Sequence, residues 1–592
     1  MKVQVSRSKN ACSYYITKGF RDPRTGKPTT KVVERLGNEE AIRAKIGPDA
    51  DIMEWCRARA DELEGQERAR TRKVTVAYDP TALIAPGERR AFNCGYLFLQ
   101  DAYCSLGLPA ECARIAAGRR FAYDLDAVLS RLVYGRVLEP GSKRATCEFA
   151  RELVEPPGFE PHHVYRALEV LAAESEAIQA ALYRASEAQS HRRTGVLYYD
   201  CTNFFFEIEA EDGFRMYGHS KQHQPLPLVQ MGMLMDADGM PLAFDVQPGN
   251  ESEQGTLTPL EEKVMADFGI SKFVVCTDAG LSSTANREFN SRGDRHFVTT
   301  QSLKGLKKRL REWALAADGW RVAGSDELFD IGEVQALADD PEADGAARKA
   351  LRSATFYKVR RVKEKDADGE WFEQNLISTF SIRYRDYRRA VRQGQLDRAA
   401  RAIADGRAKR HRKGANDPMR FAKRTSVTDA GEVAATDVWE IDEEKVAEEA
   451  AYDGFYGLAT SLDADDVPGI LKVAAGRWEI EECFRIMKDE MEARPVYLSR
   501  EDRIRAHFLT CFVALLVFRV VERRLGGAFT CPQIVDALRS MEMERVRGEG
   551  WRPLYTRTEV TDALHEAFGF RTDYEIVPEA SMREIVRKTK RR

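Results

Sequence analysis

The 592-residue sequence is short of several things, and each shortage narrows its reading. It has no Cys-x2-Cys pair. Its 11 cysteines are scattered and odd in number, which argues against a zinc knuckle or a disulfide framework and for a reducing compartment. It has no excess of one charge sign. The 91 Lys and Arg stand against 94 Asp and Glu, so a polyanionic partner would have to be met by local basic patches. Its longest apolar run, near Phe508 to Phe518, falls short of the roughly 20 residues that cross a bilayer. The first residues, MKVQVSRSKN, hold no apolar signal core, and no Cys-His or Ser-His signature suggests a protein nucleophile. The expectation is a cytoplasmic protein without membrane contact. At 43% hydrophobic and 31% charged residues the chain reads as folded, and its length calls for several domains.

What is present divides into segments. Residues 1–72 predict a small β unit (SYYITKGF and KVVERLGN around the turn-rich DPRTGKP) followed by a charged helix from about Asn38 to Arg72. A short strand, KVTVAY, is expected next, and the rest of 73–190 is helical, with apolar residues at helical spacing in YRALEVLAAESEAIQAALYRAS. From 191 to 303 the rhythm becomes strand, strand, strand, helix, strand, helix, strand. The runs are VLYYDC, LVQMGMLMD, PLAFDV, the helix TLTPLEEKVMADFG, KFVVCTDAG, a helix around Ser283 to Asn290, and HFVTTQS. Asp236-Ala237-Asp238-Gly239 reads as the hairpin turn of this region. That order predicts an α/β, ribonuclease-H-like core in which the first and fourth strands are parallel neighbours. Asp200 ends the first and Asp278 the fourth, where open α/β sheets place their ligands.

The rhythm breaks over 304–452, a large insertion with a basic segment from Arg383 to Arg424. The core resumes over 453–525 with the strand DGFYGLATS and a helix from about Val467 to Met491, and 526–592 reads as a helical tail. The whole is a multidomain α+β chain with a ribonuclease-H-like centre. In that late helix Arg477, Glu481, Phe484 and Lys488 fall within roughly 60° of one another, so two cations flank one carboxylate. Such a stripe suits phosphoryl transfer, the acid holding a metal and the cations contacting phosphates. It also fits a solvated face with i,i+4 ion pairs.

Arg-x3-Glu-x6-Lys, with YYDCT and VVCTDAG upstream, resembles the DDE transposases of bacterial insertion sequences, in particular the subgroup with a Tyr-x2-Arg-x3-Glu-x6-Lys signature. YGHSKQHQPLPLVQMGMLM, PLAFDVQPGNESEQGTL and AAYDGFYGLATS are similar to the same group, and the likeness runs from about Asn93 to Leu525. The resemblance implies that Asp200, Asp278 and Glu481 are the catalytic acids and ligands of two Mg²⁺ ions, with Mn²⁺ able to substitute. Arg477 and Lys488 would be their basic partners on DNA. One departure is that Ala474 stands where the signature has Tyr. The implied partners are double-stranded DNA, as terminal inverted repeats and target, and a second copy in a synaptic homodimer. The implied location is the bacterial cytoplasm, associated with the nucleoid.

Several residues keep two readings. Asp200 and Asp278 taken singly could be strand-end turn residues. His219 and Lys221 could touch substrate or serve a surface loop. The basic Arg383 to Arg424 segment could contact phosphates or be a solvated face. The N-terminal β unit and the helices after it are the candidates for recognising transposon ends. A nuclease of the same fold without strand transfer, or a non-catalytic DNA-binding derivative, are the alternatives.

Overall fold

Runs dense in β-branched, aromatic and long apolar residues assemble nine strands into one sheet. This computed structural model describes residues 1–7, 12–21, 27–48, 50–71, 74–325, 327–365, 369–407, 414, 416–426 and 437–591. The sheet strands are β1 (Val196–Phe205), β2 (Leu228–Asp236), β3 (Pro241–Pro248), β4 (Phe273–Thr277), β5 (Arg295–Thr300), β6 (Arg321–Val322), β7 (Phe356–Lys365), β8 (Trp371–Phe380) and β9 (Phe455–Thr460), ordered β6-β7-β8-β9-β5-β4-β1-β2-β3. Within it β3-β2-β1-β4-β5 is the ribonuclease-H-like arrangement. β1 to β3 pair antiparallel, and β1 with β4 and β4 with β5 pair parallel.

All nine residues of β2 are buried, as a strand covered on both faces requires. Helix α1 (Leu257–Phe268), between β3 and β4, buries Leu257, Leu260 and Val264 against Leu197, Tyr199, Cys201 and Leu234. Each such side chain contributes about 1.5–3 kcal/mol. A second helix, α2 (Thr284–Phe289), links β4 to β5. The insertion does not stand apart from the core: its β7 and β8 extend the same sheet, β8 pairing with β9 and β9 with β5. It also carries α3 (Ile382–Ala404) and a separate hairpin of Ala422–Ser426 and Asp437–Ile441.

The helix expected from Val467 to Met491 is divided. It consists of α4 (Val467–Ala475), α5 (Trp478–Arg485) and a π-helical turn over Ile486–Glu490, closed by the Met491 amide donating to the Ile486 carbonyl at 2.9 Å. The break falls at Gly476, where a Cβ would lie 2.0 Å from the Tyr198 hydroxyl, so the chain passes β1 at a distance only glycine permits. Helix α6 (Glu501–Arg524) follows. Among the described residues it is long and apolar enough by composition to cross a membrane, contrary to the estimate from the apolar run alone. Its most apolar window is 89% buried, packed against the helices Leu125–Leu138 and Pro161–Ala173.

The chain forms two compact units, Met1–Asp101 with Glu152–Glu155 and Asp536–Arg592, and Ala102–Arg151 with Pro156–Val535. The first begins with a three-stranded sheet of Lys2–Arg7, Cys12–Arg21 and Pro28–Asn38. Helices Glu39–Ile46 and Ile52–Thr71 cover a core that includes Tyr14, Ile16, Leu36, Ile42 and Cys56. They replace the single helix expected there, because Gly47 (φ 90°) and Pro48 end the first. Residues 22–26 of the expected turn lie outside the described residues. The described part of KVTVAY forms no strand and leaves Val76 and Tyr78 exposed; among the described residues no strand pairs with it. The last stretch carries strands as well as helices. Glu542–Val546 pairs with Gly550–Pro553 and with Ala91–Asn93.

Candidate active site

Side chains alternate across β1, and the alternation separates core from chemistry. Leu197, Tyr199 and Cys201 face α1. The even-numbered residues meet the late helical segment in order. The Tyr198 hydroxyl donates to the Val473 carbonyl at 3.1 Å, Asp200 lies within reach of Arg477, Thr202 accepts from the Lys488 ammonium, and the Phe204 ring also lies beside that ammonium. One strand face thus runs along the segment that carries the signature residues.

Asp200 and Asp278 come together as the topology predicts. The last parallel pair of β1 and β4 is Tyr198 with Cys276, and each aspartate follows two residues later. β1 itself continues to Phe205, so Asp200 lies just past the parallel pairing and within the strand rather than at its end. Asp278 caps a short helical turn, accepting from the Leu281 amide at 3.0 Å, while its own carbonyl takes the Thr299 hydroxyl. Burial raises the Asp200 carboxyl to about 6. Lys221 pulls it back down, the negative charge of Asp278 pushes it further up, and the Cys201 amide and Arg477 lower it. Two crowded, partly desolvated carboxylates of this kind are what a hard divalent cation relieves, since its charge removes their repulsion and its ligands are oxygens.

Glu481 is placed differently. Its side chain is 56% exposed and pairs with Arg477 at 3.3 Å. Among the described residues no three His, Cys, Asp or Glu side chains are grouped to hold a metal ion. Nor do Arg477 and Lys488 bracket Glu481 on one stripe. The π-turn changes the angular step before Lys488, which points to Thr202 on β1 and lies 5.5 Å from the Phe204 ring centroid. Burial, with Arg494 and Lys221 adding to it, lowers the Lys488 ammonium to about 8.

Lys221 belongs to the same cluster. Its ammonium donates to the Cys201 carbonyl at 2.5 Å and pairs with Glu253 at 3.2 Å. Burial opposes its charge, but Asp200 and Glu253 outweigh that and raise its pKa. Glu253, in the quoted PGNESEQGT stretch, and Thr202 were not singled out from sequence; their only signal was a position inside motifs already noted. His219 is exposed, and its carbonyl accepts from Asn203. Asp236 is wholly buried against Arg192 and accepts the Asp238 and Met240 amides, which makes it part of the turn. In the basic Arg383 to Arg424 segment, Arg385 pairs with Asp339, Arg392 with Asp453 and Arg420 with Glu449, so some of its charge is neutralised locally. Residues 408–413 and 415 of that segment lie outside the described residues.

Comparison with known proteins now bears on this geometry. A family model described as a transposase DDE domain matches residues 187–517, more than half of the chain and a span that takes in Asp200, Asp278, Arg477, Glu481 and Lys488. Comparison with curated proteins gives no match. Among solved structures, a piggyBac transposase in a cryo-EM synaptic complex with hairpin DNA is similar over 84% of both chains, at 9% identity and a TM-score of 0.34. The match over the sheet and over the helices that flank its two aspartates makes the chain a member of the transposase DDE domain family.

Proposed function

We propose that this protein is a DNA transposase that cuts at the ends of an insertion sequence and joins them to target DNA, using Asp200, Asp278 and Glu481 to hold two divalent cations. Mg²⁺ is the natural choice for an all-oxygen donor set, and Mn²⁺ would substitute. The observation that carries this reading is the parallel pairing of β1 and β4, which leaves two acids side by side inside the matched domain. When bound, the cations would activate a water and stabilise the leaving 3′ oxygen. The chain's own groups do the rest. Asp200 and Asp278 anchor one side of the site, and Glu481 completes it once Arg477 lets go of its carboxylate. Arg477, Lys488 and Lys221 then neutralise phosphates, and His219 at the exposed rim is placed to meet DNA. Double-stranded DNA, as terminal repeats and as target, is the substrate, and a homodimer would bridge two ends. The N-terminal sheet is proposed to recognise those ends. The signature subgroup is retained with Ala474 in place of Tyr.

The test is Asp200→Ala, Asp278→Ala and Glu481→Ala, each assayed with Mg²⁺ for cleavage of end-bearing duplex and for joining to a plasmid. Loss of both reactions with DNA binding intact is expected. Cleavage without joining by the parent would favour a simple nuclease. Parental cleavage by all three variants would remove the site assignment.

A further inference from the structure

The N-terminal sheet is three-stranded only in part. Lys2–Arg7 pairs with Cys12 to Thr17 and no further, while the other two strands continue as a two-stranded ribbon through Lys18↔Lys31, Gly19↔Thr30, Phe20↔Thr29 and Arg21↔Pro28. The buried residues of the small core beside it, Tyr14, Ile16, Leu36, Ile42, Ile52, Cys56 and Ala60, all lie outside this extension. From Lys18 to Arg21 and from Lys27 to Val33 every residue is exposed, Phe20 at 43%. An isolated two-stranded ribbon is marginally stable in water. Its described residues, 18–21 and 27–33, carry Lys18, Arg21, Lys27 and Lys31 and no acid, in a chain whose total charges nearly balance. Lys18 and Lys31 stand directly opposite one another, a like-charge pair that costs stability unless a polyanion offsets it. Glu67 pairs with Lys18 and leaves Lys31 to face outward.

We infer that this ribbon is a DNA-reading arm that enters the major groove of double-stranded DNA. The inference deepens the transposase reading and rests on it. Two strands about 4.8 Å apart, with their side chains, fit a groove about 12 Å wide and not the minor groove of about 6 Å. The deep, narrow major groove of an RNA duplex excludes the ribbon as well. Opposed residues share a face. Lys18, Lys31, Phe20 and Thr29 therefore lie on one side, cations nearer the body and the ring and hydroxyl nearer the tip. Lys31, Lys27 and Arg21 neutralise phosphates, while Phe20 and Thr29 meet base edges, Phe20 being suited to a thymine methyl.

The experiment uses the full-length protein and a fluorescent duplex of random sequence, titrated over a series of salt concentrations. The triple variant Arg21→Ala, Lys27→Ala, Lys31→Ala is expected to bind at least about tenfold more weakly, and its log–log salt slope should flatten by about two to three. Lys27→Arg with Lys31→Arg should retain the parental slope, which separates charge from any loss of fold; thermal unfolding checks the latter. Phe20→Ser should leave the slope unchanged and reduce the preference for end-bearing over random duplex. An unaltered isotherm and slope in the triple variant would overturn the inference, as would tighter binding of single-stranded DNA or an RNA duplex. If the parent binds duplex through the ribbon but never cuts it, the transposase reading fails and the ribbon stands. If it cuts with the ribbon charges removed and binding unchanged, the ribbon fails alone.

Discussion

Arg477 and Glu481, one helical turn apart, form an ion pair at 3.3 Å, and among the described residues the glutamate's carboxylate is not grouped with the two aspartates. Arg477 also lies close enough to Asp200 to lower its pKa, so one guanidinium serves as counter-ion to two of the three acids. Cation entry must compete with it. Exposed pairs of this kind are worth about 0.2–1 kcal/mol. Arg477→Ala should therefore tighten Mn²⁺ binding in the absence of DNA by up to about fivefold, measured by calorimetry, while lowering cleavage of DNA. Weaker Mn²⁺ binding in the variant would contradict the counter-ion role.

Gly476 and Tyr198 hold the glutamate-bearing helix against the strand of Asp200. Gly476→Ala would drive a methyl group into the Tyr198 hydroxyl, for which overpacking costs of about 1–3 kcal/mol are typical. The expected result is a lower denaturation midpoint and reduced cleavage. Adding Tyr198→Phe should restore part of both, because it removes the clashing oxygen. Additive losses in the double variant would show that the two residues act independently.

Lys488 is held down to about 8 by burial and by its cationic neighbours, so its charge fades as pH rises through that value. A phosphate contact made by this ammonium should weaken on the alkaline side. Lys488→Arg, whose guanidinium stays charged, is expected to extend the alkaline limb of the cleavage profile, and Lys488→Gln to lower cleavage at every pH. Superimposable alkaline limbs for parent and arginine variant would contradict this assignment.

Glu261 on α1 is buried with the Asn290 amide 3.0 Å from its carboxyl oxygens. Burial pushes its carboxyl up to about 8, against the opposing effects of Asn290 and Arg295. Because the folded value is raised, the fold keeps a proton that the unfolded chain releases near 4.5. The associated stability is complete below that pH and is lost as pH climbs through about 8. Glu261→Gln should flatten the fall in melting temperature over this window. An identical slope for parent and variant would refute the shift.

The order of elements from Val196 to Thr300, and with it the pairing of Asp200 and Asp278, followed from local patterns. Alternation with a period of two marks strands, a period of 3.6 marks α1, and connection rules leave few ways to join them. The periodicity of Arg477, Glu481 and Lys488 was equally legible, yet it assumed an uninterrupted helix. The approach of Tyr198 that requires Gly476, the π-turn that sends Lys488 to Thr202, and the capture of Glu481 by Arg477 depend on what a distant strand presents to that helix. The extension of the sheet by β7 and β8 and the burial of α6 have the same origin. Local sequence determined which segments repeat at strand or helix spacing, because that depends on backbone geometry alone. Tertiary packing decided which side chains share a site, because contact between residues hundreds of positions apart depends on how the whole sheet and its helices close.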